Sequence, residues 1–159
     1  MAQTFQRYYS SGLHCHQGVI NLYSDTIKLA LVANTYTPDL DAHTVWADVS
    51  AHEVASGDGY TTGGETVGSK TLTRSGAITT FDAADVTWTA LTKTFRYGVL
   101  YVVGTKTDPQ GGADIVNPLI GYVLFDDSPA DITVSGVDYT AQWSSLGITT
   151  IGPSSEVCA

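Results

Sequence analysis

The residues of this 159-residue chain that could do chemistry fall into four groups. His14, Cys15 and His16 are metal ligands by type. A zinc site needs a second pair of ligands at matching spacing and none follows, while a strand reading points Cys15 away from both histidines, so no metal is expected. Asp82/Asp85 and Asp126/Asp127 are paired acids of the kind a glycosidase sets face to face. Both pairs sit among Pro, Ser and Ala in turns, where carboxylates ordinarily stay solvated or cap a backbone amide. The stretch 126–131 also lacks the twelve-residue calcium pattern. Gly57, Gly59, Gly63, Gly64 and Gly68 make residues 56–69 a glycine-rich loop, but a phosphate cradle would run on through Lys and Ser or Thr into a helix, and residues 70–74 read as a strand. Trp46, Trp88 and Trp143 could stack on a sugar. Trp88 and Trp143 fall on apolar strand faces and Trp46 on an apolar helical stripe, which places all three in the core. The Gly-X-Ser-X-Gly elbow of a serine hydrolase is absent. No convergent motif remains, so neither catalytic residues nor a cofactor is expected, and the protein reads as a non-enzyme.

The elements that would position these residues are mostly strands. The densest alternation lies in residues 86–103, where Phe95, Tyr97, Val99, Tyr101 and Val103 share one face and Gly98, Leu100 and Val102 the other. Both faces are apolar, and such a strand belongs between two covering layers. Residues 86–91 are expected beside it in the sheet. Residues 19–22 and 26–34 also read as strands, the second with Ile27, Leu29, Leu31 and Ala33 inward. Ala42, Val45, Trp46 and Val49 recur at i, i+3, i+4 and i+7, which predicts an amphipathic helix over 41–55, capped by Asp41 and closed by Gly57. Residues 70–74 and 77–81 flank Ser75-Gly76 as a hairpin, and 132–134 and 137–143 flank Ser135-Gly136 as another. Residues 119–125 and 147–151 complete the strands. Between two apolar strands, residues 104–117 form a polar loop with Pro109 and Gly111-Gly112, where recognition tends to sit. The sum is a single all-β domain, a β-sandwich or jelly-roll-like fold with one short helix. Its expected limits are residues 19–152, with 1–18 as an N-terminal arm and 153–159 as a C-terminal tail.

Composition narrows the partners. Seven Lys and Arg against sixteen Asp and Glu leave a formal charge of −9. No cation follows Lys106, which argues against binding nucleic-acid phosphates. Neither a run of about 18 apolar residues nor a basic start with an apolar region is present, so no membrane span and no secretory signal are expected. Cys15 and Cys158 are then expected as thiols, with a bridge joining the chain ends as the alternative. Only 14% of residues are charged, and a surface built from Thr, Ser, Gly, Asn, Gln and Tyr suits packing against other protein. Phe5, Tyr8 and Tyr9 would be wasted in a free tail. With Lys106, Asp108 and Gln110 of the polar loop, they are the candidate contact residues. Deleting residues 1–11 is expected to weaken assembly without unfolding the domain.

The order of YSDTIKLALV (residues 23–32), YTPD (36–39), DAHTVWADVSAHEVASGDGYTTGG (41–64), TWTALTKTFRYGVLY (87–101), NPLIGYVLFD (117–126) and GITTI (147–151) resembles a family of small structural proteins of tailed bacteriophages. The likeness spans residues 19–151 and supplies no catalytic residues. It implies a virion component assembled in a bacterial cytoplasm. The expected role is a decoration or cement protein on the capsid surface, a homotrimer whose partner is the major capsid protein, with no nucleic acid, membrane or small-molecule substrate. A tail or neck adaptor or fibre protein, and a carbohydrate-binding β-sandwich module, are the alternatives.

Overall fold

In the computed structural model, which describes residues 4–126, 128 and 130–152, the chain is all-β and sandwich-like with one short α-helix. The elements are β1 (Thr4–Arg7), α1 (Tyr9–His16), β2 (Ile27–Val32), β3 (Glu65–Thr66), β4 (Thr71–Ser75), β5 (Ile78–Asp82), β6 (Val86–Phe95), β7 (Tyr97–Val102), β8 (Thr105–Lys106), β9 (Ile115–Val116), β10 (Leu119–Leu124), β11 (Ile132–Ala141) and β12 (Thr149–Ile151). Two single 3-10 turns, Trp46–Asp48 and Ser50–His52, lie between β2 and β3.

The strand expected to be central is central. β7 occupies the middle of a five-stranded antiparallel sheet in the order β1-β10-β7-β2-β3. Its two faces serve two cores, as the alternation requires. Leu100 and Val102 pack with Leu29, Leu31, Trp88, Leu91 and Phe95 under the β6–β11 ribbon. Val99 and Tyr101 pack on the opposite side with Tyr8, which lies between β1 and α1, and with Tyr36, Trp46 and Val49, which the segment between β2 and β3 lays over the sheet. Gly98 has no side chain for a steric reason: a Cβ there would stand 2.8–2.9 Å from Phe125 Cζ, Leu29 Cδ1 and Val123 Cγ1.

The neighbour expected for β7 lies elsewhere. β6 leaves the main sheet, pairs with β11 and forms the facing layer of the sandwich. Val86, Trp88, Leu91 and Phe95 point inward, and the count changes parity because Ala90 takes φ +49 and bulges. Gly59, at φ +82, lets its loop lie against the Ala90 carbonyl, where a Cβ would stand at 2.7 Å. The second expected hairpin is one continuous strand: Ser135-Gly136 is a bulge inside β11, with Gly136 at φ +66 and its N–H donated to Thr92 Oγ1 at 2.8 Å.

Three further expectations are corrected. Residues 41–55 are not an α-helix. Thr44 and Val45 donate their N–H groups to the Asp48 carboxylate, Trp46 N–H goes to Asn117 O at 2.9 Å, and Val45 bridges Pro118 in strand fashion, so tertiary pairing takes the donors a helix would use. Residues 19–22 are turn rather than strand, with Val19 and Ile20 buried and their N–H groups on His14 O. Nor are the N-terminal residues a separate arm. β1 is an edge strand registered on β10 from Thr4↔Leu124 to Arg7↔Gly121, and α1 follows at once. The tail 153–159, including Cys158, lies outside the described residues.

β4, β5 and β12 form a small sheet in the order β12-β5-β4, hung from the sandwich by buried Phe81 and Ile148. The expected β4–β5 hairpin is present, but its turn is Gly76-Ala77, one residue beyond the expected Ser75-Gly76, because Ser75 pairs with Ile78 as the last residue of β4. Every residue of β4 is exposed.

Candidate functional site

The loop 104–117, singled out separately from the N-terminal residues in the sequence, is tied to the turn that follows α1. Lys106 Nζ reaches Asp25 Oδ1 at 2.6 Å, on the turn that follows α1. Asp108 lies close enough to His14 of α1 for its charge to act on the imidazole. A two-residue ladder between β8 and β9, Thr105↔Val116 and Lys106↔Ile115, stiffens the loop. At its base Asn117, at φ +52, accepts the Gly104 N–H on Oδ1 at 2.7 Å.

Helical phase decides which N-terminal side chains are available. Successive residues of a helix turn by about 100°, so Ser11 and His14 point inward while Tyr9, Leu13 and His16, at i, i+4 and i+7, point to solvent. Tyr9 is 66% and Leu13 56% exposed. Tyr8, just before the helix, is fully buried. Phe5 is half-buried and packs against the main core. Of the six expected contact residues, then, Tyr9 and Gln110 are exposed, Phe5 and Tyr8 belong to the interior, Lys106 is held by Asp25, and Asp108 folds back to accept the Gln110 N–H at 2.8 Å. Leu13, Tyr23 and Val116 are exposed apolar residues that the sequence did not single out. Reading residues 9–16 as helix would have found Leu13, one turn from Tyr9.

Tyr8 ends a directed chain of hydrogen bonds. The Asp39 N–H donates to His43 Nδ1 at 3.2 Å, so that nitrogen carries a lone pair. Tyr36 therefore donates its hydroxyl to the same atom at 2.9 Å, and its oxygen accepts the Tyr8 hydroxyl at 2.6 Å. Burial pushes the Tyr8 phenol far up and the Tyr36 phenol up to about 12.

The remaining chemical groups are spent locally. His14, Cys15 and His16 radiate from a helix rather than alternating along a strand, and do not converge. Burial lowers the His14 pKa against the opposing charge of Asp108, and its Nδ1 has no partner among the described residues. Burial raises the Cys15 thiol, with Arg7 opposing at 3.8 Å and Asp25 adding to the rise. His16 Nδ1 donates to Gly12 O at 2.8 Å. Among the described residues no group of three or more His, Cys, Asp and Glu is placed to hold a metal ion. Asp82 accepts the Ala83 N–H and Asp85 the Trp143 N–H, each at 2.9 Å. The Ser128 hydroxyl and amide hold the Asp126 carboxyl below its usual range, and Asp127 lies outside the described residues. In the glycine-rich loop, Glu53 accepts from both Tyr60 O–H and Gly63 N–H, which fixes the loop from within.

The described residues line two concavities. An open groove of about 440 Å³ is lined by Val45, Trp46, Ser50, Asp114, Val116 and Asn117, and a cleft of about 240 Å³ lies among Phe5, Val123, Trp143 and Ile148. Trp46 is 9% exposed and stacks on Tyr101 with centroids 4.5 Å apart, Trp88 is 1% exposed, and Trp143 is half-buried. Among the described residues no helix is long and apolar enough to cross a membrane.

No protein family, curated protein or solved structure matches the chain.

Proposed function

We propose that this chain is a non-enzymatic structural protein of a phage virion, a decoration or cement protein that docks as a trimer on the major capsid protein at the outer surface of the head. The observation that carries the reading is the outward stripe of α1, where Tyr9 and Leu13 stand in solvent; the stiffened loop 104–117 supplies a second exposed segment. These are large apolar side chains that the fold does not use, set on a rigid scaffold, and that is the make-up of a contact surface. The commitment of Asp82, Asp85 and Asp126 to backbone amides supports the non-enzymatic side of the reading. Docking would stabilise the shell by mass action, because every opening of the shell must re-expose the area that docking covers.

The carbohydrate reading draws less support: one face of the Trp46 ring is taken by Tyr101 and Trp88 is shielded. The test is to add the purified chain to heads that lack it, image the particles, and repeat with Leu13→Glu and Tyr9→Glu. Density at local three-fold positions, with both variants bound about tenfold more weakly or worse and melting like the parent, is the expected outcome. Density at the neck or tail would replace the decoration role with the adaptor role. Full-strength binding by both variants would remove α1 from the interface.

A further inference from the structure

We infer that β4 is a docking edge for β4 of a second copy, joining two molecules by a two-fold antiparallel strand pair. Free sheet edges are usually blunted. β1 and β3 are short, and β6 and β11 are broken by the bulges at Ala90 and Ser135-Gly136. β4 has five residues, all exposed, with no Pro, Gly or bulge, and among the described residues it pairs only with β5. Its one charged residue, Arg74, makes no hydrogen bond or ion pair among the described residues.

The direction of the backbone groups fixes the register. Ile148 N–H donates to Phe81 O at 2.9 Å, so Phe81 and Thr79 of β5 turn their backbone groups toward β12. Ile78, Thr80 and Asp82 therefore face β4, where their partners Ser75, Thr73 and Thr71 face back. That leaves the N–H and C=O groups of Leu72 and Arg74 pointing outward. A two-fold axis at Thr73 sets Leu72 opposite Arg74 of the second copy and Arg74 opposite its Leu72, and each of these pairs exchanges two backbone bonds.

The side chains fit the same axis. Thr73 shares a face and a row with Thr80 and Thr150, so pairing continues a threonine row across both molecules with Thr73 against Thr73. On the other face Leu72, which is 46% exposed, meets the aliphatic stem of the second copy's Arg74. This self-complementarity in backbone, row and stem is what favours a second copy over a foreign strand. The contact is independent of the α1 surface.

The experiment uses the full chain. Sedimentation velocity up to roughly 1 mM should show a reversible dimer, since small contacts associate weakly. Thr73→Cys should cross-link through residue 73 of both copies under mild oxidation, identified by peptide mapping. Opposed residues of a non-hydrogen-bonded pair sit about 4.5 Å apart at Cα, within disulfide reach. Leu72→Pro removes an outward N–H without touching the β4–β5 ladder, so it should be monomeric with unchanged circular dichroism. Thr73→Lys, which opposes two like charges at the axis, should be monomeric too. A parent that stays monomeric at the highest concentration, a dimer that survives both variants, or a dimer that gives no 73-to-73 link would each overturn the inference.

Discussion

Removing the N-terminal residues should unfold this domain rather than merely detach it from a partner. Tyr8 is wholly buried against Tyr36 and Tyr122, and its N–H and hydroxyl are bound to Ile120 O and Tyr36. Truncating such a ring to Ala costs about 3–5 kcal/mol. Tyr8→Phe keeps the ring and loses one net hydrogen bond, about 1 kcal/mol, because Tyr36 can still donate to His43. Deleting residues 1–11 removes the Tyr8 ring, all of β1 and the first turn of α1, and bares the edge of β10. Against a total stability of about 5–15 kcal/mol, that loss takes most of the fold. At about 2–4 °C per kcal/mol, Tyr8→Ala should lower Tm by about 6–20 °C and Tyr8→Phe by only a few degrees. Thermal and urea unfolding followed by circular dichroism would measure both. A deletion variant that melts within a few degrees of the parent would refute the packing argument and restore these residues to the status of an arm.

Gly98→Ala should destabilise by about 1–3 kcal/mol through overpacking, and a second substitution, Leu29→Ala, should cost less in that background than in the parent. Because burial lowers the His14 pKa, the unfolded chain binds its proton first. Stability should therefore be complete above the ordinary histidine range and fall as pH drops through that value toward the lowered one, and His14→Leu should flatten this segment of a stability-versus-pH curve. Cys15 should react slowly with thiol reagents at neutral pH, faster in urea, since burial keeps it protonated; rapid labelling of the native chain, mapped to its peptide, would contradict this.

What could be read from the sequence was whatever alternates strongly. The two apolar faces of Tyr97–Val102 announce a covered central strand, and Gly76 a tight hairpin, placed within one residue, because side-chain parity and turn chemistry are local. The failures share a cause. Val45, Trp46 and Val49 have helical spacing, yet the donor that breaks the helix goes to Asn117, far along the chain. Ser135-Gly136 has turn chemistry, but Gly136 uses its positive φ for a bulge, and only the length of the facing strand separates the two outcomes. Ala90 carries no signal for the left-handed conformation it adopts. At the site, the loop 104–117 was legible as loop, whereas α1, written in Ser, Gly, His and Cys, has too weak a pattern to set its phase. Where the helix starts separates buried Tyr8, still extended, from exposed Tyr9, its first residue.

The disposal of the cations limits what the surface can hold. Arg7 is bound to Ser11 and Cys15, Lys28 to Gly64 O, Lys70 to Asp25 O, Lys93 to Asp58, Arg96 to Asp131 and Lys106 to Asp25. Of the seven Lys and Arg residues these six are engaged inside the molecule, which leaves Arg74. A chain of charge −9 so arranged presents uncompensated carboxylates and hydroxyls, and no cluster of cations with which to displace counterions from a phosphate backbone. Against a partner surface of like sign, screening then works in favour of association rather than against it. Binding to the proposed shell partner, carried by Tyr9, Leu13 and the loop, should hold or strengthen between about 50 and 200 mM salt, whereas a contact made through phosphate neutralisation would fall by orders of magnitude over that range. A titration of binding against salt separates the two. A steep decline would mean that ion pairs, made by this chain's carboxylates or by cations released from their internal pairs, carry the contact, and that the apolar stripe of α1 is not what holds the partner.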